Sequence, residues 1–179
     1  HGPLPCHIAG VHNFENMMTA AAIGLHFGVS PDQCSRALTE YLPDNNRSQW
    51  MRTDSNDILL DAYNANPSSM ESALTFFASS DHGNSKSSAL VAILGDMGEL
   101  GSYASAAHDE ILNRAIDSGV EVLTVGPLFS ASASKLSGVK AFDTTSDLIS
   151  FLEAKPMVGK QVLLKGSRSI ALEKAIIAL

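Results

Sequence analysis

The sequence predicts an α/β fold, a doubly wound and mostly parallel sheet over residues 45–179, preceded by a helical segment over 1–44. Three observations predict it. Four short apolar runs, DILLDAY (57–63), SALVAILG (88–95), EVLTVG (121–126) and QVLLKG (161–166), read as strands buried on both faces. Each precedes a helix-compatible stretch: PSSMESALTFFA, YASAAHDEILNRAIDSG, TSDLISFLEA and SIALEKAIIAL. Strands that alternate with helices need crossover connections, which make parallel neighbours and a sheet covered on both sides. The third observation is a change of hydrophobic period at the punctuation LPDNNR (42–47), upstream of which the pattern is purely helical.

The first helix follows from NFENMMTAAAIGLHF (13–27), which is rich in Ala and Met and poor in β-branched residues. A second helix follows almost at once. Ser30 is a good N-cap and Pro31 stands at the favoured first position. Apolar residues then recur at Cys34, Ala37, Leu38 and Tyr41, about a turn apart. These two helices carry more apolar surface than they can hide from water alone, so the chain is expected to begin inside a domain. RSQWMRT (47–53) pairs antiparallel with DILLDAY across the turn DSND. The Ser-rich patches SSDHGNSKSS (79–88) and FSASASKLSG (129–138) are expected as surface loops. Met17, Met18, Trp50, Phe76 and Phe77 are expected as core. No internal repeat is present.

A chain of 179 residues, 45% hydrophobic and 17% charged, accommodates one ordinary domain and a remainder, or two small domains. Twelve Lys and Arg stand against nineteen Asp and Glu, a net charge of -7, so no basic field exists to neutralise a phosphodiester backbone. Nucleic acid is therefore not expected as a partner. The two cysteines, Cys6 and Cys34, form no C-x-x-C pair, which argues against a disulfide scaffold and a thiolate zinc site. No apolar run approaches the roughly 18 residues of a membrane span, and the N-terminus lacks a basic region followed by a hydrophobic one. A reducing cytoplasm is the expected location.

Ligands of an open parallel sheet collect at the carboxyl ends of its strands, where helix N-termini present free N–H groups. Three of the apolar runs end in polar turns: DAYNANP from Asp61, GDMGELG from Gly95 and KGSRS from Lys165. Singly, each is an ordinary turn, and Asn66 is placed to cap the helix that Pro67 begins. Three along one edge point to a binding site. Upstream, His12, Asn13 and Asn16 share one side of a helical turn through their spacing. Amides there offer a donor and an acceptor together, which suits the edge of a purine, although Asn13 serves equally well as a helix cap. His12 has no second ligand at metal-site spacing, so no metal centre is expected. His108 reads as a helical residue near a loop. No G-x-x-x-x-G-K-[ST] phosphate loop occurs anywhere.

GVHNFEN (10–16), NNRSQ (45–49), DAYNANPSSM (61–70), LGDMGELG (94–101) with the later His108, and LKGSRS (164–169) together make the chain resemble the ATP-dependent Mur ligases. The YNANPSSM and KGSRS elements look most like the members that join D-alanyl-D-alanine to UDP-N-acetylmuramoyl-tripeptide. The match runs in order along nearly the whole chain, and its most specific element is YNANP. It departs at Val11, where a polar or basic residue is common, and at Asn46, where Gly is usual before Arg47. Folylpolyglutamate synthase-like ligases share the scaffold but resemble DGAHNP at the first turn, and the D-N-P-R of diaminopimelate- or lysine-adding relatives is absent. The competing reading from another class is a non-catalytic nucleotide- or peptide-binding module of doubly wound fold.

The resemblance implies a Rossmann-like C-terminal domain over 45–179, with 1–44 as the helical end of a central ATPase domain. It implies ATP and Mg2+ as cofactors of a three-domain, monomeric, cytoplasmic enzyme whose P-loop and main magnesium ligands lie upstream, so that this chain alone is inactive. By analogy His12, Asn13 and Asn16 lie at the adenine, Arg47 at the terminal phosphate and Asp61 at the ribose hydroxyls. Lys165, with Arg47, is implied in catalysis; Tyr63, Asn64, Asn66, Asp96, Lys165 and Ser167 are implied on the side of the peptide substrates.

Overall fold

Apolar runs with the two-residue alternation of strands assemble into one six-stranded sheet in a computed structural model that describes residues 3–8, 11–42, 46–79 and 89–179, the side chains of Val11 and His12 excepted. The strands are β1 (Gln49–Arg52), β2 (Asp57–Asp61), β3 (Leu90–Gly95), β4 (Glu121–Val125), β5 (Lys140–Phe142) and β6 (Gln161–Lys165). The helices are α1 (Val11–His26), α2 (Pro31–Glu40), α3 (Pro67–Ala78), α4 (Ala104–Asp117), α5 (Pro127–Ala133) and α6 (Thr145–Ala154). Across the sheet the order is β1-β2-β6-β3-β4-β5, with β1 antiparallel to β2 and every other pair parallel.

Alternation along each strand sends side chains to two cores. Leu59, Ala92, Leu94, Val122 and Leu163 face the layer that holds Met70, Phe77, Ile111, Leu112 and Phe129 of α3, α4 and α5. Their neighbours Ile58, Leu60, Val91, Ile93, Leu123, Val162 and Leu164 face Leu148 and Leu152 of α6 and the C-terminal Leu172 and Ala175. Both faces are covered, which is what makes the strands read as continuous apolar runs. Because β6 inserts between β2 and β3, the three polar turns after these strands lie side by side at one carboxyl edge, where the chain's direction across the sheet reverses.

Local signals account for most of the helices. Ser30, Asn66 and Thr144 each close a capping box at the N-terminus of α2, α3 and α6, and Pro begins α2 and α3. The pair α1–α2 has little to pack on: α2 buries no residue, and Phe14, Met18, Ile23, Leu25 and Phe27 of this segment are exposed.

Three expectations change, and one strand is added to them. Residues 169–179 form 3-10 turns, Arg168–Ile170 and Leu172–Ala178, in place of an α-helix. Ala171 adopts a left-handed conformation between them, and Leu172, Ala175 and Ala178 pack inward every third residue, the 3-10 period. The patch FSASASKLSG is not simply a loop, since its first half lies in α5 with Phe129, Ser132 and Ala133 buried. The edge strand β5 is too short to announce itself in the sequence. Met18, expected in the core, is exposed, while Met17, Trp50 and Phe76 are half-buried and Phe77 is fully buried. The expected boundary between residues 44 and 45 and most of the loop SSDHGNSKSS lie outside the described residues.

Candidate functional site

Close approach of two backbones shapes the centre of the carboxyl edge. Gly95 ends β3 and Gly166 follows β6; a Cβ on Gly166 would come 2.8 Å from the Gly95 Cα, so position 166 does not accept a side chain without parting the strands. The parallel register sets Asp61 directly beside Lys165 on the neighbouring strand. The Lys165 Nζ donates to Asp61 Oδ2 at 2.7 Å and to the Asn64 carbonyl at 3.3 Å, with Lys165 only 1% exposed. An ammonium carries three donors, and two are taken by these acceptors. A charge so removed from water is tolerable only because its partner is at hydrogen-bonding distance.

Asp61 also orders the segment that carries Arg47. Its Oδ1 accepts from the Ser48 amide at 3.2 Å, and the next residue, Ala62, donates its amide to the Asn46 carbonyl at 2.9 Å. Asn46 and Ser48, on either side of Arg47, have φ of 56° and 47°. Asn tolerates that left-handed region better than other non-glycine residues, which explains why Asn46 can stand where Gly is usual. Arg47 thus projects from a loop fixed at both sides. Its guanidinium lies over the Tyr63 ring, with Cζ 4.1 Å from the centroid, and Arg168 of the KGSRS turn lies over the same ring at 5.5 Å.

Arg47 also reaches a cavity of about 320 Å³ between α1 and α2, lined by Asn13 and Asn16, the apolar Met17, Ala20 and Leu38, and Tyr41. Asn16 donates to the Asn13 Oδ1 at 3.4 Å, as the helical spacing requires. Since α1 already begins at Val11, Asn13 lies inside its first turn and is not its cap. His12 belongs to α1 by its backbone, and its side chain lies outside the described residues. The cavity is mostly apolar, with paired amides and a cation among its lining residues.

Two expected site residues are turned to structural work. Asp96 is 6% exposed, and its carboxylate accepts from the Leu128 amide at 2.9 Å and the Phe129 amide at 2.8 Å, capping α5 from the turn after β3. Gly126 is required there, because a Cβ at that residue would stand 2.4 Å from the Asp96 carboxyl carbon. Asp96, expected on the substrate side, thus gives one lone pair of each oxygen to a backbone amide inside the fold. Asn66, likewise, spends its side chain on the α3 cap, accepting from the Ser69 amide at 2.9 Å. Ser167 is buried, bonded through its amide to the Asp96 carbonyl and through its hydroxyl to Ser169. Asn64 is exposed beside the Lys165–Asp61 pair, its Oδ1 accepting from the Ala65 amide. His108 is fully buried in α4, where the Met97 amide donates to its Nε2 at 3.0 Å and its Nδ1 faces the Ala104 carbonyl at 2.7 Å, so the ring is fixed at both nitrogens.

The structure therefore brings Asn13, Asn16 and Arg47 together around one cavity and Asp61, Asn64 and Lys165 together at the edge, with Arg47 and Tyr63 between the two groups. Arg168, which is not among the expected site residues, joins them at the Tyr63 ring. Among the described residues there is no group of three His, Cys, Asp or Glu that could hold a metal ion. No helix among them is long and apolar enough to cross a membrane.

Residues 46–168 match the family described as "Mur ligase, glutamate ligase domain". The chain is 38% identical, over 96% of its length, to the UDP-N-acetylmuramoyl-tripeptide--D-alanyl-D-alanine ligase of Treponema pallidum, and 34% identical, over 99%, to that of Escherichia coli. It spans 37% and 38% of those relatives. A crystal structure of MurF from Acinetobacter baumannii superposes with a TM-score of 0.80 at 26% identity, over 94% of this chain and 38% of that one. MurF from Thermotoga maritima in complex with ADP has the same fold, with a TM-score of 0.76 at 18% identity, over 96% of this chain and 38% of that one.

Proposed function

The chain belongs to the Mur ligase family, and from that premise we propose that it is the C-terminal part of an ATP-dependent ligase that joins D-alanyl-D-alanine to UDP-N-acetylmuramoyl-tripeptide in peptidoglycan precursor synthesis. Residues 1–44 are then the helical end of the central ATP-binding domain and 45–179 the C-terminal domain. The observation that carries this reading is the double engagement of Arg47, which lines the amide-bearing cavity and also stacks on Tyr63 at the sheet edge. One cation thereby joins the amide-bearing cavity to the place where an open α/β sheet takes its ligands.

In this reading ATP phosphorylates the terminal carboxylate of the muramoyl tripeptide. The amine of D-alanyl-D-alanine attacks the acyl phosphate, and the tetrahedral adduct collapses to amide and inorganic phosphate. The protein's task is to position three reactants and to neutralise oxyanions. Asn13 and Asn16 read the adenine edge, and His12 is assigned beside them by the resemblance alone. Arg47 holds the terminal phosphate. Asp61 takes the ribose hydroxyls with the lone pairs that Ser48 and Lys165 leave free. Lys165, Tyr63, Asn64 and Ser167 line the side on which the peptides meet. Magnesium neutralises phosphate charge in such transfers, and its ligands belong to the preceding part of the enzyme. The 179-residue chain alone is inactive, and the whole enzyme works as a cytoplasmic monomer that closes over its reactants and excludes water from the acyl phosphate.

Phosphate release tests the reading. The full-length protein, given ATP and UDP-N-acetylmuramoyl-tripeptide, releases phosphate faster when D-alanyl-D-alanine is added; an unchanged rate defeats the assignment. Arg47→Ala in that protein lowers kcat far more than it raises the KM for the dipeptide, whereas equal effects on both would remove Arg47 from the phosphate.

A further inference from the structure

Arg168 and Arg47 place two guanidiniums over the single ring of Tyr63, at 5.5 and 4.1 Å. Neither has a carboxylate within salt-bridge distance among the described residues. Asp61, two residues from Tyr63, is already committed to Lys165 and to the Ser48 amide. Two cations held against one aromatic ring, with no carboxylate beside either, leave positive charge that the ring quadrupole offsets only in part and that an anion would neutralise. Arg168 is exposed, so its five donors are open to a ligand. The two cations differ in surroundings. Arg47 lines the cavity between α1 and α2, while Arg168 does not, and stands instead on the turn that follows Lys165 and Ser167.

Resting on the ligase reading above, we infer that Arg168 binds the terminal carboxylate of the incoming dipeptide, with Tyr63 as the platform that holds it. The dipeptide reacts through its amine and carries its only negative charge at the opposite end, about 7 Å away in an extended chain. A cation at the reacting end and a second one held by the same aromatic ring match that polarity. The planar guanidinium pairs with a carboxylate through two parallel hydrogen bonds, which a simple ammonium cannot reproduce. Arg168 therefore selects for a free terminal carboxylate, and Arg47 remains with the phosphate.

The test compares D-alanyl-D-alanine with D-alanyl-D-alaninamide, which lacks the charge, as acceptors for the full-length enzyme and its Arg168→Met variant. The wild-type enzyme favours the carboxylate form in kcat/KM by about a hundredfold, the scale of a charge-assisted bidentate pair, and Arg168→Met brings the ratio near one. Arg168→Lys restores the preference only in part. Equal loss of kcat/KM for both peptides in the Met variant overturns the inference, as does a rise in the KM for ATP that exceeds the rise for the dipeptide, which would assign Arg168 to the nucleotide. Absence of dipeptide-dependent phosphate release from the wild-type enzyme is a different result and defeats the underlying ligase reading.

Discussion

Asp96 spends its charge at the start of α5. Its two oxygens satisfy the amides of Leu128 and Phe129, the latter belonging to a fully buried residue. Asp96→Ala orphans both donors and costs about 2–3 kcal/mol of stability, measurable by urea unfolding; a loss below 0.5 kcal/mol, on the order of an exposed surface change, would contradict this role. The Lys165–Asp61 pair is more demanding. Removing the ammonium with Lys165→Met leaves a largely desolvated carboxylate unpaired and destabilises by about 3–5 kcal/mol, and the double variant Lys165→Met with Asp61→Asn recovers part of that loss. An exposed pair behaves otherwise. Lys135, with the Ser132 hydroxyl, holds Asp109 below the usual carboxylate range, through bonds of 2.9 and 2.7 Å from the ammonium. A depressed carboxylate stabilises the fold above its unfolded pKa, and the contribution is lost as pH falls through the lowered folded value. NMR titration of Lys135→Met then shows the Asp109 midpoint shifted upward, and an unmoved midpoint would remove Lys135 as the cause.

Elements owe their ends to signals of two ranges. The caps of α2, α3 and α6 are local: Ser30 with Gln33, Asn66 with Ser69 and Thr144 with Asp147 lie three residues apart and are legible in the sequence. The start of α5 depends on Asp96, thirty-odd residues upstream, and on a glycine at 126 that makes room for it. That is why a Ser-rich helix reads as a loop. At the sheet edge, β3 and β6 approach so closely that Gly166→Ala must push a methyl against the Gly95 backbone. The variant loses about 1–3 kcal/mol and shifts Lys165 relative to Asp61, which thermal unfolding detects; a Tm equal to the parent's would show that the strands part without cost.

For the molecule as a whole, the contrast is between a sheet covered on both faces and a helical pair covered on few. Ile58, Val91, Ile93, Leu94 and Leu163 are sealed from water, whereas Phe27 of the leading segment is 80% exposed and Ile23 is 55% exposed. Local opening costs least where little apolar area is re-exposed. In the 179-residue chain, amides of α1 and α2 therefore exchange with deuterium at lower opening free energies than those of β3 and β6. Uniform protection across both regions would show that the helices and the sheet unfold as one unit.

Periodicity, caps and turn residues by themselves determined the doubly wound class, four strands of the parallel sheet, the β1–β2 hairpin and five of the six α-helices found among the described residues, because each of those features is carried within a few neighbouring residues. The resemblance in YNANPSSM and KGSRS named the family for the same reason, being local in the chain. Tertiary structure alone decided what those residues do to one another. Strand register set Asp61 against Lys165, the insertion of β6 between β2 and β3 aligned the three polar turns, and a left-handed loop brought Arg47 to the ring that Arg168 also covers. Asp96 went inward for a related reason. A carboxylate is drawn to whichever unpaired donors the fold brings near it, and those donors come from a helix that the surrounding sequence does not mention.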